Sequence, residues 1–319
     1  MHAAIVRTFG ETPTFGEFEE PVAREGELPV KVAAAGLHPI VKALASGTHY
    51  GSTGELPFIP GVDGVGRLED GSRVFFGSAR SPFGTFAERA VAASWMCTPL
   101  PDGLDDVTAA GIANPAMSSW VGLMRGQFVA GESVLILGAT GVSGQLAVQI
   151  ARRRGARRVV GVGRNADALE KLTSLGADRV ISLEQEPDAV VAALREEYAE
   201  KGVDVVLDYL WGQPAEWMLA AIAQKGLKKA TPRVRYVQIG NSAGPTITLP
   251  AMTLRSSGLE MVGSGFGSAS MEQILAAVAE LFADAAKEPF VFEVKTAPLS
   301  EVEKVWGEKE SGVRAVFRT

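Results

Sequence analysis

Apolar and polar positions along this chain fall into two textures. From about residue 133 onward, short unbroken apolar runs alternate with segments whose apolar residues recur every three or four positions. The runs predict strands at 133–137, 158–163, 179–182, 203–208, 234–239 and 259–263; the periodic segments predict helices at 143–154, 166–175, 187–200, 213–224 and 270–286. Strands that are apolar on both faces, separated by amphipathic helices, predict an α/β fold of the Rossmann type, a doubly wound parallel sheet. Residues 1 to about 117 read differently. Short strand patterns at 3–8, 28–35, 64–68, 73–77 and 86–91 are separated by turns such as Glu69-Asp70-Gly71-Ser72, which predicts a small β-rich, barrel-like domain. Strand character returns at 290–295 and 314–318, expected to rejoin the first domain. The expected boundaries are 1–117, 118–267 and 268–319.

The most informative junction is Val134-Leu135-Ile136-Leu137-Gly138-Ala139-Thr140-Gly141-Val142-Ser143-Gly144, where an apolar strand meets three evenly spaced glycines and helical periodicity begins at Leu146, Ala147 and Ile150. Glycines there allow a sharp turn, close approach to a pyrophosphate and tight packing of the new helix on the strand. The phosphates then meet free N–H groups at the positive end of the helix dipole, so Gly138, Ala139, Thr140, Gly141, Val142 and Gly144 are candidate cofactor contacts. Read alone, the pattern is equally compatible with an ordinary strand-to-helix turn.

The next strand pattern ends at Gly163, and Arg164 follows about 20 residues after the last glycine, where the ribose-reading residue is expected. An acid there would accept the 2′-hydroxyl of NAD. Arg164, with Asn165 beside it, instead offers a guanidinium suited to a 2′-phosphate, so NADP(H) is the expected cofactor. The alternative for Arg164 is a solvated side chain at a strand end.

Composition narrows the class. At 319 residues, two domains are expected, and 46% hydrophobic against 21% charged residues argues against disorder. The net charge of -6 gives no global attraction to nucleic acid or anionic lipid, and the basic clusters Arg152-Arg153-Arg154 with Arg157-Arg158, and Lys225 with Lys228 and Lys229, lack the interleaved aromatics of a single-strand binder. Neither a nucleic acid nor a membrane is an expected partner. The opening Met1-His2-Ala3-Ala4-Ile5-Val6-Arg7 enters a strand pattern directly and gives no sign of a leader peptide, so a cytoplasmic protein is expected. Cys97 is the single cysteine, which excludes an intrachain disulfide and a thiolate-rich zinc site.

With these residues in view, the order of elements resembles the medium-chain dehydrogenase/reductases, and in particular their zinc-free quinone oxidoreductase and enoyl reductase branch. The matching phrases are Val32-Ala33-Ala34-Ala35-Gly36-Leu37-His38-Pro39-Ile40, Gly47-Thr48-His49-Tyr50, Ile59-Pro60-Gly61-Val62-Asp63-Gly64-Val65-Gly66, the Gly138–Gly144 turn, Leu175-Gly176-Ala177-Asp178 and Gly202-Val203-Asp204-Val205-Val206-Leu207-Asp208. The resemblance implies a GroES-like front domain and hydride transfer from NADPH to a small-molecule substrate. It also implies a substrate cleft near His38, Val41 and Tyr50, with His38 where relatives place an asparagine and Val41 where an Asp often follows.

Tyr50 is then the candidate donor of a proton or hydrogen bond to a developing enolate, or a loop tyrosine that packs on substrate. Ser118, in Asn114-Pro115-Ala116-Met117-Ser118-Ser119-Trp120, and Gly240 with Asn241, after the fifth predicted Rossmann strand, are candidate contacts of the nicotinamide half; turn and capping chemistry is the alternative for both stretches. His38 stands where zinc-dependent relatives place a cysteine and Asp63 where many have a Glu, yet the cysteines of a structural zinc are missing, so no metal is expected and His38 either lines the cleft or bonds to backbone. Without a Lewis acid, a quinone or α,β-unsaturated C=C is the favoured acceptor, because conjugation itself stabilises the charge left by hydride addition. An NADPH-binding sensor with little turnover is the second reading. The strand at 259–263 would be a sheet edge, and the expected assembly is a homodimer joined there.

Overall fold

The ten-residue strand β3 (Glu27–Gly36) organises the front of the molecule, a computed structural model that describes residues 1–52, 54–77, 80–223, 232–265, 267–308 and 312–319. Ahead of it, β1 (His2–Ile5) and β2 (Thr14–Glu17) form an antiparallel hairpin, tied by isolated bridges at Ala3–Ala87 and Val6–Phe58. After it come the short helix α1 (Pro39–Ala45), β4 (Asp63–Arg67), β5 (Arg73–Gly77), β6 (Arg89–Ala93), β7 (Cys97–Pro99) and the long helix α2 (Asp106–Arg125). The chain folds as two compact units, Met1–Met117 with Leu275–Thr319, and Ser118–Ile274, and α2 carries it from the first into the second.

The second unit contains β8 (Ser133–Leu137), α3 (Val142–Arg153), β9 (Arg158–Gly163), α4 (Ala166–Ser174), β10 (Arg179–Ser182), α5 (Pro187–Glu196), β11 (Val205–Asp208), α6 (Gly212–Ile222), β12 (Arg233–Gln238), α7 (Ala251–Ser256) and β13 (Gly258–Gly263). Then α8 (Met271–Lys287) returns the chain to the first unit for β14 (Glu293–Pro298), α9 (Val302–Trp306) and β15 (Val313–Arg318). No helix among the described residues is long and apolar enough to cross a membrane. Lys225, Lys228 and Lys229 lie outside the described residues.

All strands of the second unit pair in parallel, in the order β10-β9-β8-β11-β12-β13. This is the doubly wound order expected from the sequence, with direction reversing between β8 and β11. Every residue of β8 is buried, as the unbroken apolar run requires of a central parallel strand. Helix α3 lays Leu146, Ala147 and Ile150 against the sheet, all fully buried. Each large apolar side chain so covered contributes about 1.5–3 kcal/mol.

The first unit corrects the expected barrel. Its main sheet runs β14-β15-β3-β4-β5-β7, with β6 also on β3, and among the described residues the path stays open. At one end β15 takes β14 as a parallel neighbour, and at the other β7 is only three residues long. The β1–β2 hairpin stays a separate two-stranded sheet. The open sheet still has two buried faces. Val30, Val32, Val74, Phe76, Ala90 and Ala92 pack on one, while Leu37, Val41, Phe86, Phe317 and their neighbours pack on the other.

Helix α2 was hidden by its own composition. Gly111, Pro115 and Gly122 all weaken helix propensity, and the predicted change of texture near residue 120 falls inside it. The glycines are there for close approach: a Cβ on Gly111 would lie 3.1 Å from the Phe292 ring, and one on Gly122 would lie 3.0 Å from Ile239 Cδ1. Its start is fixed by Asp105, whose carboxylate accepts from the N–H groups of Val107 and Thr108 and from the Thr108 hydroxyl. Short α1, α7 and α9 and the strands β2 and β7 also escape the sequence pattern, being too brief to show a period.

Candidate functional site

At the switch point, β8 ends in a turn whose three glycines do different work. Gly138 takes φ +90°, a left-handed conformation that an L side chain resists. Gly144 is locked by packing, because a Cβ there would stand 2.2 Å from the Gly138 carbonyl oxygen and 2.4 Å from Ala139 Cα. Gly141 is neither. Its φ is an ordinary -78°, it is exposed, and the nearest atom to an added Cβ is 3.7 Å away. Nothing in the protein's own packing requires glycine at position 141.

Gly141 is also the N-cap of α3, and it supplies no side-chain cap. The first-turn N–H groups are therefore left at an exposed surface with the positive end of the helix dipole, an arrangement that suits a pyrophosphate. Val142 is buried beneath them, Ala139 donates its N–H to the Val162 carbonyl at 2.9 Å, and Thr140 packs so closely on Gly163 that a Cβ there would meet its side chain at 2.4 Å. The glycine at the end of β9 is thus fixed by the turn at the end of β8.

Arg164 emerges exposed just past β9, and among the described residues no carboxylate pairs with it. Asn165 plays a structural part, since its side-chain oxygen accepts from the Ala168 N–H at 2.9 Å and caps α4. By contrast, the neighbouring arginine cluster is largely consumed internally. Arg152 bonds Asp178 and the Gly176 carbonyl, Arg157 reaches Asp204, Arg158 grips Glu197, and Arg154 lies 4.7 Å above the Trp120 ring.

One residue that sequence reasoning missed sits among several that it named. Tyr209 follows β11; its hydroxyl lies 2.8 Å from Ser119 Oγ and is also hydrogen-bonded by Ser118. Its Cβ would be 3.2 Å from a Cβ on Gly138, and its carbonyl oxygen 2.7 Å from one on Gly240. That carbonyl also accepts from the Ser242 hydroxyl at 3.0 Å. Tyr209 therefore links Ser118, the glycine turn and the Gly240 loop. Burial pushes its phenol up to about 12, so it stays a neutral donor. Asn241 is exposed beside Gly240, and its carbonyl accepts from the Gly244 N–H at 3.1 Å.

Asp208, fully buried, holds this corner in shape. One carboxylate oxygen accepts from the N–H groups of Leu210 and Trp211 at 2.8 and 3.0 Å; the other accepts from the Tyr236 hydroxyl at 2.7 Å. Its backbone carbonyl takes the N–H groups of Ile239 and Gly240. Burial raises its pKa despite these donors. The available signal was an acid closing an otherwise apolar strand, since a carboxylate at the end of a buried strand must find donors in the loop that follows.

In the first unit, His38 is fully buried rather than exposed on a surface. Its Nε2 lies 3.2 Å from Asp63 Oδ1, its Nδ1 has no hydrogen-bond partner, and a Cβ on Gly36 would collide with the ring at 2.5 Å. The partner is a carboxylate, not the backbone. Among the described residues no three His, Cys, Asp or Glu side chains converge here. Val41 is buried but lines a pocket of about 150 Å³. Tyr50 is 76% exposed, with its ring 4.1 Å from that of His49.

Residues 143–281 match the family described as zinc-binding dehydrogenase. A probable NADPH-dependent quinone reductase of Emericella nidulans is 29% identical, with 99% of each chain covered. The quinone oxidoreductase of Lama guanicoe is 32% identical over 66% of each. Among solved structures, the quinone oxidoreductase of Thermus thermophilus, also determined in complex with NADPH, superposes with a TM-score of 0.79 at 27% identity over 100% of both chains. The chain belongs to the medium-chain dehydrogenase/reductase superfamily, in its quinone oxidoreductase branch.

Proposed function

We propose that this chain is an NADPH-dependent oxidoreductase that passes hydride, without zinc, to a quinone or to an α,β-unsaturated C=C bond, acting as a cytoplasmic homodimer. The single observation that carries the reading is Gly141: an exposed, unstrained position that the fold leaves without a Cβ, at the uncapped start of α3. A phosphate is the group that profits from such an opening. The names of the relatives support the same cofactor and acceptor.

In this reading the turn Gly138–Gly144 holds the pyrophosphate on backbone N–H groups, and Arg164 pairs with the 2′-phosphate. Asn165 fixes the start of α4 and so the direction in which Arg164 leaves β9. Ser118, Gly240 and Asn241 bound the nicotinamide half, with Tyr209 setting the Ser118 hydroxyl and the Gly240 backbone. The bound cofactor supplies the hydride, and the protein aligns it and excludes water. Tyr50 donates a proton or a hydrogen bond to the oxygen that gains charge. Residues 1–117 and 268–319 serve as the catalytic domain, and 118–267 as the cofactor domain.

The test is NADPH consumption by the purified chain with a panel of quinones and enones, and NADH as the control. Turnover with any acceptor, and preference for NADPH, supports the reading; tight NADPH binding with no turnover replaces it with the sensor. The dimer rests on β13, whose outer edge has no strand partner among the described residues, and a monomeric mass at micromolar concentration would refute it.

A further inference from the structure

The acid that closes β11 keeps only neutral company. Asp208 is fully buried, and its carboxylate is met by the N–H groups of Leu210 and Trp211 at 2.8 and 3.0 Å and by the Tyr236 hydroxyl at 2.7 Å. Among the described residues no Lys, Arg or His side chain pairs with it. Glu197, also buried in this unit, is by contrast gripped by Arg158. An anion buried without a cation is costly, and its three contacts show how the fold keeps it.

All three partners donate. Burial and the neighbouring Asp208 hold the Tyr236 phenol well above its ordinary 10, so it stays protonated and gives its hydrogen to the carboxylate. Leu210 and Trp211 offer N–H groups, which cannot accept. A proton on Asp208 would have only the phenol oxygen to point at, and the phenol hydrogen would then lose its acceptor. Tyr209, the next residue, is a second neutral phenol, so this corner holds one negative charge shielded from water.

That charge sits on the residue that anchors the proposed nicotinamide contacts. The Asp208 carbonyl accepts from the N–H groups of Ile239 and Gly240 at 2.8 and 3.1 Å, and Tyr209 is bonded by Ser118. When NADPH gives up hydride, both electrons of its C–H bond leave with the hydrogen. The neutral reduced ring becomes a cation, and the acceptor becomes an anion that then takes a proton. The phosphates are unchanged, so a fixed negative charge in a dry corner acts on the difference between the two forms of the ring.

We propose that Asp208 is an electrostatic partner of the nicotinamide, a buried carboxylate without a cation that favours the positively charged oxidised ring over the neutral reduced one and so assists departure of the hydride. Being fully buried, it acts through the low dielectric around it and not by contact. The inference rests on the NADP(H) reading of the glycine turn.

The test compares Kd for NADP+ and for NADPH, by calorimetry, in the wild-type chain and in Asp208→Asn. The asparagine oxygen can still accept from Leu210 and Trp211, and its amide can donate to the Tyr236 oxygen, so the contacts are kept and the charge is lost. The ratio of Kd for NADP+ to Kd for NADPH should rise about threefold or more, through weaker NADP+ binding. A purely structural role would weaken both nucleotides together, and an unchanged ratio in a folded Asp208→Asn protein overturns the inference. Gly240→Ala is the control for displacement without a change of charge, since its methyl group would meet the Tyr209 carbonyl oxygen at 2.7 Å. It should move both Kd values alike; a change of ratio as large as that of Asp208→Asn also overturns the inference. Should Asp208→Asn not fold, the double variant with Tyr236→Phe, which removes the phenol facing the new amide, is read in the same way. If the wild-type chain binds neither nucleotide, the cofactor reading fails and the inference falls with it. If both bind but no acceptor is reduced, the reductase reading fails and the ratio still decides the role of Asp208.

Discussion

The phenol of Tyr209 and the hydroxyl of Ser119 meet at 2.8 Å, one from the end of a central sheet strand and the other from α2. The same phenol is bonded by Ser118, so a single side chain sets the position of a residue proposed to contact the cofactor. Tyr209→Phe keeps the ring and removes that link. The expected loss is about 1 kcal/mol of NADPH affinity, roughly a fivefold rise in Kd, measured by nucleotide fluorescence with thermal unfolding as a control.

Gly141 and Gly144 should separate binding from folding. Gly144→Ala drives a Cβ into Gly138 and Ala139 and should cost about 1–3 kcal/mol of stability. Gly141→Ala has room and should cost about 1 kcal/mol or less as a poorer helix cap, yet it places a methyl group where a phosphate would rest. Denaturant titrations and NADPH binding on both variants check this. Unchanged affinity in a folded Gly141→Ala protein would remove the pyrophosphate from this turn.

Arg164→Ala should erase most of the preference for NADPH over NADH, raising the Kd for NADPH by about 1.5–3 kcal/mol while leaving NADH nearly untouched. Parallel calorimetric titrations with the two nucleotides give the answer.

Asp105 provides a pH test of the helix that carries Ser118 and Ser119. Burial acts to raise its pKa, but bonds from the Thr108 hydroxyl and from the N–H groups of Thr108 and Val107 outweigh it and hold the carboxyl below its ordinary 3.8. A depressed folded value means that the stabilisation is present above pH 3.8 and is lost as pH falls through the folded pKa. Asp105→Ala should therefore cost about 1 kcal/mol at neutral pH, and the gap from wild type should close in acid, as followed by thermal unfolding across pH.

A second pH test uses Tyr209 itself. Its folded pKa of about 12 is raised from 10, so its contribution is complete below pH 10 and is lost as pH rises through 12. A phenolate absorbance titration of the folded protein, wild type minus Tyr209→Phe, should show no ionisation of this side chain near pH 10.

The order of strands and helices in the second unit was legible because a parallel sheet buried on both faces leaves unbroken apolar runs, and three of the six predicted strands, 133–137, 158–163 and 179–182, keep their bounds in the structure. The strand–turn–helix at Gly138–Gly144 was legible too, since local backbone needs are written in adjacent residues. What the chain alone did not reveal was α2, masked by glycines that serve contacts with Phe292 and Ile239, and the open path of the front sheet, which depends on which distant strands pair. Tertiary structure likewise decided that Asn165 is a cap, that His38 is buried against Asp63, and that Asp208 and Tyr209 brace one corner. Such roles come from residues brought together across long separations, and burial then sets which hydrogen bonds they must make; sequence periodicity carries no record of either.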